Sequence, residues 1–226
     1  MVMAEAIPSA LELVLMSLPL LVAWIILMLA SEVVLLYDLR ENNAETASLM
    51  KVVWFFTVFY SGLLGLAIYW FTGRKQISDD SIWRRGFRSV SHCYSGCGSG
   101  EAVGVVVAVG ILSLSNIGVA VATFGFAYLF GYALTVGPLV QEGVNWKGAV
   151  SDAFYTETLS ITVMEVVAVG IDIFLADGVG TFEVRFWISL IISLSLGLVA
   201  AYPVNILLIK SGVKEGMMDP RNMREG

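Results

Sequence analysis

This chain has little of what most chemistry needs. Of its 226 residues, one is histidine, two are cysteine, five are proline and only 14% are charged. Two cysteines cannot build a disulfide framework. Their spacing, Cys93 to Cys97, is neither the CxxC of a thioredoxin-like site nor the CxxCH of a c-type haem. Lysine and arginine number 13 against 19 acids, and the net charge of −6 argues against nucleic acid as a partner. No Lys or Arg precedes the first apolar run, where Glu5 and Glu12 stand instead, so a secretory signal is not expected and the first span should stay in the chain. No strand-to-glycine-loop-to-lysine pattern follows Gly96-Cys97-Gly98-Ser99-Gly100, which leaves no phosphate loop. With no nucleotide motif, active transport would draw on a gradient or on another protein.

What the chain does have is apolar length. It is 58% hydrophobic, and a bilayer core of about 30 Å takes about 20 such residues per helix. Only helices and closed barrels satisfy every backbone group in lipid, and these runs are too long and too little alternating for barrel strands. The expected fold is therefore an all-α integral membrane protein, a single polytopic domain over 1–226. It would have about six transmembrane helices at about 13–36, 52–71, 101–118, 119–140, 154–175 and 186–209, with Pro19 kinking the first. The third and fourth share one long run, turning near Ser113–Gly118. Residues 81–91 mix Ile82, Trp83, Phe87 and Val90 with Arg84, Arg85 and Arg88, the pattern of an interfacial amphipathic helix with its arginines toward anionic lipid. In a six-span arrangement Arg74, Lys75, Arg84, Arg85, Arg88, Lys147, Lys210, Lys214, Arg221 and Arg224 share one side, against Arg40, Lys51 and Arg185 on the other. The positive-inside rule then places both termini in the cytoplasm of a cell-membrane protein.

The chemistry gathers in one short run, His92-Cys93-Tyr94-Ser95-Gly96-Cys97-Gly98-Ser99-Gly100-Glu101, which holds the only histidine and both cysteines. On a helix beginning near His92, Cys93, Cys97 and Glu101 follow one stripe at every fourth residue. Gly96, Gly100, Gly104 and Ala108 follow the next stripe, which predicts close packing on a neighbour, with Ala127 and Gly131 as the matching small residues. Backbone N–H groups at the start of that helix would favour a thiolate. Thiolates with an imidazole suit Cu(I) or Zn(II). The expected metal ligands are thus His92, Cys93, Cys97 and Glu101, with Cu(I) first. In the fifth span Glu157, Met164, Glu165, Ala168 and Asp172 fall within an arc of about 100°. Acids inside a span are costly and face a partner, a cavity or a pathway, so Glu157, Met164, Glu165 and Asp172 read as an ion path. Met217, Met218 and Met223 add soft thioethers in the tail. Asn116, Asn205 and Gln141 read as helix glue or end caps.

Four stretches carry a resemblance: His92-Cys93-x-x-Gly96-Cys97-Gly98-x-Gly100-Glu101, Phe124-Gly125-Phe126-Ala127-Tyr128, Glu157-Thr158-Leu159-Ser160 and Tyr202-Pro203-Val204-Asn205. Together they resemble a bacterial and archaeal multi-pass membrane family catalogued as a domain of unknown function, over about Trp83 to Met218. The resemblance implies a membrane fold and a copper-protein partner, and it supplies no reaction. The resulting expectation is a membrane protein that binds and translocates or hands over a soft metal ion. Two alternatives stay open: a thiol-redox module in which Cys93 and Cys97 cycle with a quinone or partner, and a structural subunit of a membrane complex. A cytoplasmic placement disfavours the redox alternative, since that compartment keeps thiols reduced.

Overall fold

The computed structural model describes residues 9–141, 143–176 and 178–222. These form helices α1 (Ser9–Leu15), α2 (Leu18–Glu41), α3 (Ser48–Ser61), α4 (Leu63–Thr72), α5 (Ile82–Val105), α6 (Asn116–Gln141), α7 (Trp146–Ala176) and α8 (Val184–Lys210). A π-helical stretch, Val106–Ile111, prolongs α5, and one 3-10 turn, Pro220–Asn222, follows the tail. Five helices are long and apolar enough to cross a membrane: α2, α5 with its extension, α6, α7 and α8. Their outward faces are apolar, with Val33 of α2 67% exposed, Val121 of α6 68% and Leu207 of α8 64%. A continuous apolar surface of this kind fits lipid.

The expected second span is not one long helix. Its residues fold into a hairpin, α3 up and α4 back, around Gly62 at φ +54° and ψ −125°, a backbone conformation that side-chain-bearing residues avoid. Trp54 of α3 meets Tyr69 of α4 edge to face. A Cβ on Gly65 would collide with the Thr57 carbonyl of the opposite arm. The tip lies beside Met28 and Trp24, midway along α2. Both feet of the hairpin therefore stand at the end of the bundle where α2 finishes. Asp38, near the last turn of α2, accepts two hydrogen bonds from Arg74 just beyond α4, at 2.7 and 2.9 Å, and Lys75 N–H donates to Asn43 at 2.8 Å. The half-depth hairpin has the shape of a re-entrant segment, which lipid tolerates only when protein covers its backbone. Here α2 and α5 supply the cover.

Among the described residues five candidate spans stand where six were expected. The chain from Ser9 starts at one end of the bundle, where Leu15 packs with Leu175 and Ile188. The tail finishes at the other end, where Lys214 reaches Glu157 near the start of α7. Residues 81–91 are no separate interfacial helix either: they are the opening turns of α5. Arg88 points inward, 1% exposed, donating to the Thr72 and Met217 carbonyls and paired with Asp80. Pro19 sits in the first turn of α2, where its missing N–H leaves nothing unsatisfied, so it starts the helix instead of kinking it.

α5 is the central helix, in contact with α3, α4, α6, α7 and α8. Its glycine stripe does what small residues allow. A Cβ on Gly96 would lie 2.8 Å from Gly131 Cα, and one on Gly104 2.7 Å from Thr123 Cα, while Gly100 abuts Phe126 and Ala127. The α5 and α6 backbones thus touch directly, as the sequence spacing predicts. The turn between these helices falls at 112–115, with Ser113 at φ +50°.

Candidate functional site

Because α5 begins at Ile82, Cys93 and Cys97 lie about three turns inside the helix, about 16 and 22 Å along its axis. The expected help from a helix N-terminus is therefore lost, since that effect fades within the first turn. The two side chains stack one turn apart, with Sγ atoms 3.9 Å from each other. They are 2% and 0% exposed and have free thiols. Gly131 of α6 leaves room for Cys97: its Sγ would lie 3.6 Å from a Cβ there.

His92 does not join them. One residue along a helix turns the side chain by about 100°, and His92 is buried toward the Leu134 backbone of α6, facing Glu157 and Lys214. Glu101, two turns on, is directed at Glu165 and Asp172. Among the described residues no three His, Cys, Asp or Glu side chains gather closely enough to hold one ion. Of His92, Cys93, Cys97 and Glu101 the structure brings the two thiols into contact, while the stripe that stacks Cys93 on Cys97 carries Glu101 about two turns beyond Cys93 along the axis.

Around the thiols a polar thread runs through the bundle. Ser160 of α7 donates its hydroxyl to Cys93 Sγ at 3.5 Å, and Asn205 Nδ2 of α8 donates to Ser160 Oγ at 2.6 Å. The Asn205 carbonyl accepts from Ser89 at 2.8 Å and from the Lys214 ammonium at 3.2 Å. Lys214 pairs with Glu157 Oε2 at 2.8 Å, both side chains almost fully buried. Deeper along the same face of α7 lie Glu165, 0% exposed and with no partner for either oxygen, and Asp172, which accepts from Ser189 at 2.9 Å. Glu101 Oε2 is likewise unpartnered and buried. Glu165 borders both cysteines. Glu157 to Asp172 spans about 22 Å of helix axis at about 1.5 Å per residue. Met164 is on this face as well, but packs against Gly197 of α8.

The tip of the hairpin reaches the same helix. Ser61 bonds Tyr94 at 2.8 Å and Tyr60 bonds Ser99 at 2.9 Å. At the tail end of the bundle, a cavity of about 450 Å³ is lined by Asp80, Arg85, Lys214, Glu215, Met217 and Asp219, with Met218 at its margin. The Arg221 guanidinium holds the Asp219 carboxyl below its usual range. Met223 lies outside the described residues.

Sequence reasoning missed Lys214 and Asn205 as site residues. Lys214 counted as a topological charge and Asn205 as helix glue; Asn205 stands in the Tyr202-Pro203-Val204-Asn205 run that carries the resemblance, but its part in the site, like that of Lys214, comes from contacts with α5 and α7.

No curated protein and no solved structure matches the chain. One family does, over residues 82–214, from the first residue of α5 to the lysine that folds back onto Glu157. That stretch is more than half of the chain and contains the whole polar thread, so the chain belongs to the family described as Domain of unknown function (DUF4396).

Proposed function

We propose that this is an integral membrane protein of five crossings and one re-entrant hairpin, which binds Cu(I) at Cys93 and Cys97 and passes it along the acidic face of α7. The observation that carries the reading is the thiol pair itself. Two buried sulfurs 3.9 Å apart can share one ion at about 2.3 Å from each. Cu(I) is satisfied by few soft ligands, whereas structural Zn(II) takes four. A soft monovalent ion is therefore the better match to two thiols with no third ligand beside them among the described residues. Glu165 next to the thiols and Glu101 beyond it offer buried carboxyl oxygens to a cation leaving the sulfurs.

Charge supports the orientation. With the hairpin returning to its own side, Arg40 and Lys51 join the basic end, and of the described Lys and Arg residues only Arg185 lies at the other. The positive-inside rule makes the tail end cytoplasmic and the α1 end external. The thiols then open toward the cytoplasm through the Lys214 end.

The test is the metal content of detergent-purified protein and of a Cys93→Ser, Cys97→Ser double variant, by elemental mass spectrometry after Cu(I) or Zn(II) loading under reducing conditions. Near-stoichiometric copper, lost in the variant, is the expected result. No metal in either protein overturns the reading.

The same 3.9 Å separation favours one other reading, a dithiol that closes to a disulfide, because residues one turn apart lie within the Cα range such a bond needs. Free-thiol labelling before and after mild oxidant separates the two. Rapid reversible loss marks redox cycling; protection by Cu(I) marks metal binding.

A further inference from the structure

Beyond Lys210 the chain turns twice, at Gly212 (φ +73°) and Gly216 (φ +81°), and folds back over the end of the bundle. Lys214 lies between the two turns. Its backbone N–H donates to the Leu208 carbonyl at 3.1 Å. The arginines of α5 clip the segment from the other side: Arg85 donates to the Glu215 carbonyl and Arg88 to that of Met217. The result is a lysine driven inward, 6% exposed, where lysine side chains almost never go without a partner. Outside it is the cavity of about 450 Å³. Inside it, Asn205 and Ser160 lead to Cys93.

The ammonium sits at a point where oxygens converge. Asn205 spends its amide hydrogens on Ser160 and on the Ala201 carbonyl, which leaves its own carbonyl oxygen aimed at Lys214. Glu157 Oε2 completes the pair. A carboxylate at this depth cannot stand alone, since breaking a buried ion pair leaves an uncompensated charge. When lysine leaves, the carboxylate takes either a proton or another cation, and the oxygens already turned to the ammonium favour a cation of its size. One carboxylate and one amide oxygen carry a single negative charge, which suits a monovalent cation.

We propose that Glu157 and Asn205 form a monovalent-cation site, that Lys214 fills it as a tethered cation, and that emptying the site opens the cavity to Cys93 and Cys97. This deepens the route described above and rests on it only for the identity of the cargo.

The thiols, the only two in the chain, report the opening directly. The measurement is their rate of reaction with a small water-soluble methanethiosulfonate in purified full-length protein. Lys214→Ala should accelerate it by about tenfold or more, since a buried thiol reacts only from its open form. Methylammonium, the free counterpart of the lost side-chain cation, should slow Lys214→Ala back toward the wild-type rate. In Glu157→Gln the rate should also rise, and methylammonium should do nothing. Lys75→Ala, which removes a surface ion pair with Glu45 at the same end, should react like wild type. An unchanged rate in Lys214→Ala overturns the proposal, as does acceleration that methylammonium leaves untouched, or equal acceleration in Lys75→Ala. Copper loading is a separate readout, so the thiols can respond to Lys214 whether or not they bind metal, and the two ideas fail independently.

Discussion

Trp54 and Tyr69 meet edge to face, ring centroids 5.4 Å apart, from two helices that run in opposite directions. Their contact means that α4 returns to the end of the bundle from which α3 rose.

That arrangement is open to a direct check. In a Cys93→Ser, Cys97→Ser background, Ala44→Cys and Gln76→Cys should react with an impermeant maleimide from the same face of the membrane, and Ser115→Cys from the opposite face. All three positions are exposed. Labelling of Ala44→Cys and Gln76→Cys from opposite faces would restore a full second crossing and remove the hairpin.

Gly65→Ala should separate the hairpin arms, because its Cβ meets the Thr57 backbone. A cost of about 1–3 kcal/mol is expected for overpacking at such a contact. Gly125→Ala is the comparison: it lies within a helix with nothing within 4 Å of the new Cβ, and should be neutral or stabilising by up to about 1 kcal/mol. Detergent-solution melting midpoints rank the two, and equal midpoints contradict the packing.

Asp38 ties α2 to the foot of the hairpin through Arg74, Tyr69, Asn42 and Asn43. Its side chain is 3% exposed and that of Arg74 19%. Asp38→Asn leaves the guanidinium without its carboxylate, and a loss of about 3–5 kcal/mol is expected for a buried pair broken on one side. A melting midpoint within error of wild type would show that solvent screens the pair.

Glu165→Gln separates path from scaffold. Neither carboxyl oxygen has a nitrogen or oxygen partner, and the group lies against the Cys97 thiol, which the isosteric amide can still meet, so the fold should stay about as stable. Copper binding at the thiols should persist, while Cu(I) flux into proteoliposomes should fall by about tenfold or more, as for the loss of about 1.4 kcal/mol of barrier stabilisation. Undiminished flux takes Glu165 out of the path.

Part of the site is readable in one dimension. Cys93 and Cys97 share a helical face with Gly96 and Gly100 beside them, and the spacing alone predicts that the glycines press on α6 while the thiols turn inward. The acids of α7 follow the same periodic logic. His92 and Glu101 stand apart from the thiols for reasons the helix itself imposes, angle for one and axial distance for the other, but which neighbour each meets depends on α6 and α7. Lys214 gave no local signal, since a lysine beyond a helix end is normally solvated, and Asn205, though part of the Tyr202-Pro203-Val204-Asn205 run, read as glue because an asparagine inside a helix normally bonds its own backbone.

The amino-acid order by itself settled the helical class, the presence of several long apolar helices, the small-residue seam between α5 and α6, and the gathering of the only histidine and both cysteines in one short run. These depend on period and composition, which are properties of neighbouring residues. Only the tertiary structure decided that residues 48–72 return instead of crossing, that Arg88 is buried, and that Lys214 reaches Glu157. An apolar run of that length is compatible with a span or a hairpin, and the choice rests on contacts such as Trp54 with Tyr69 and Gly65 with Thr57. Such contacts join residues far apart in the chain, and their energy exists only once the helices have met.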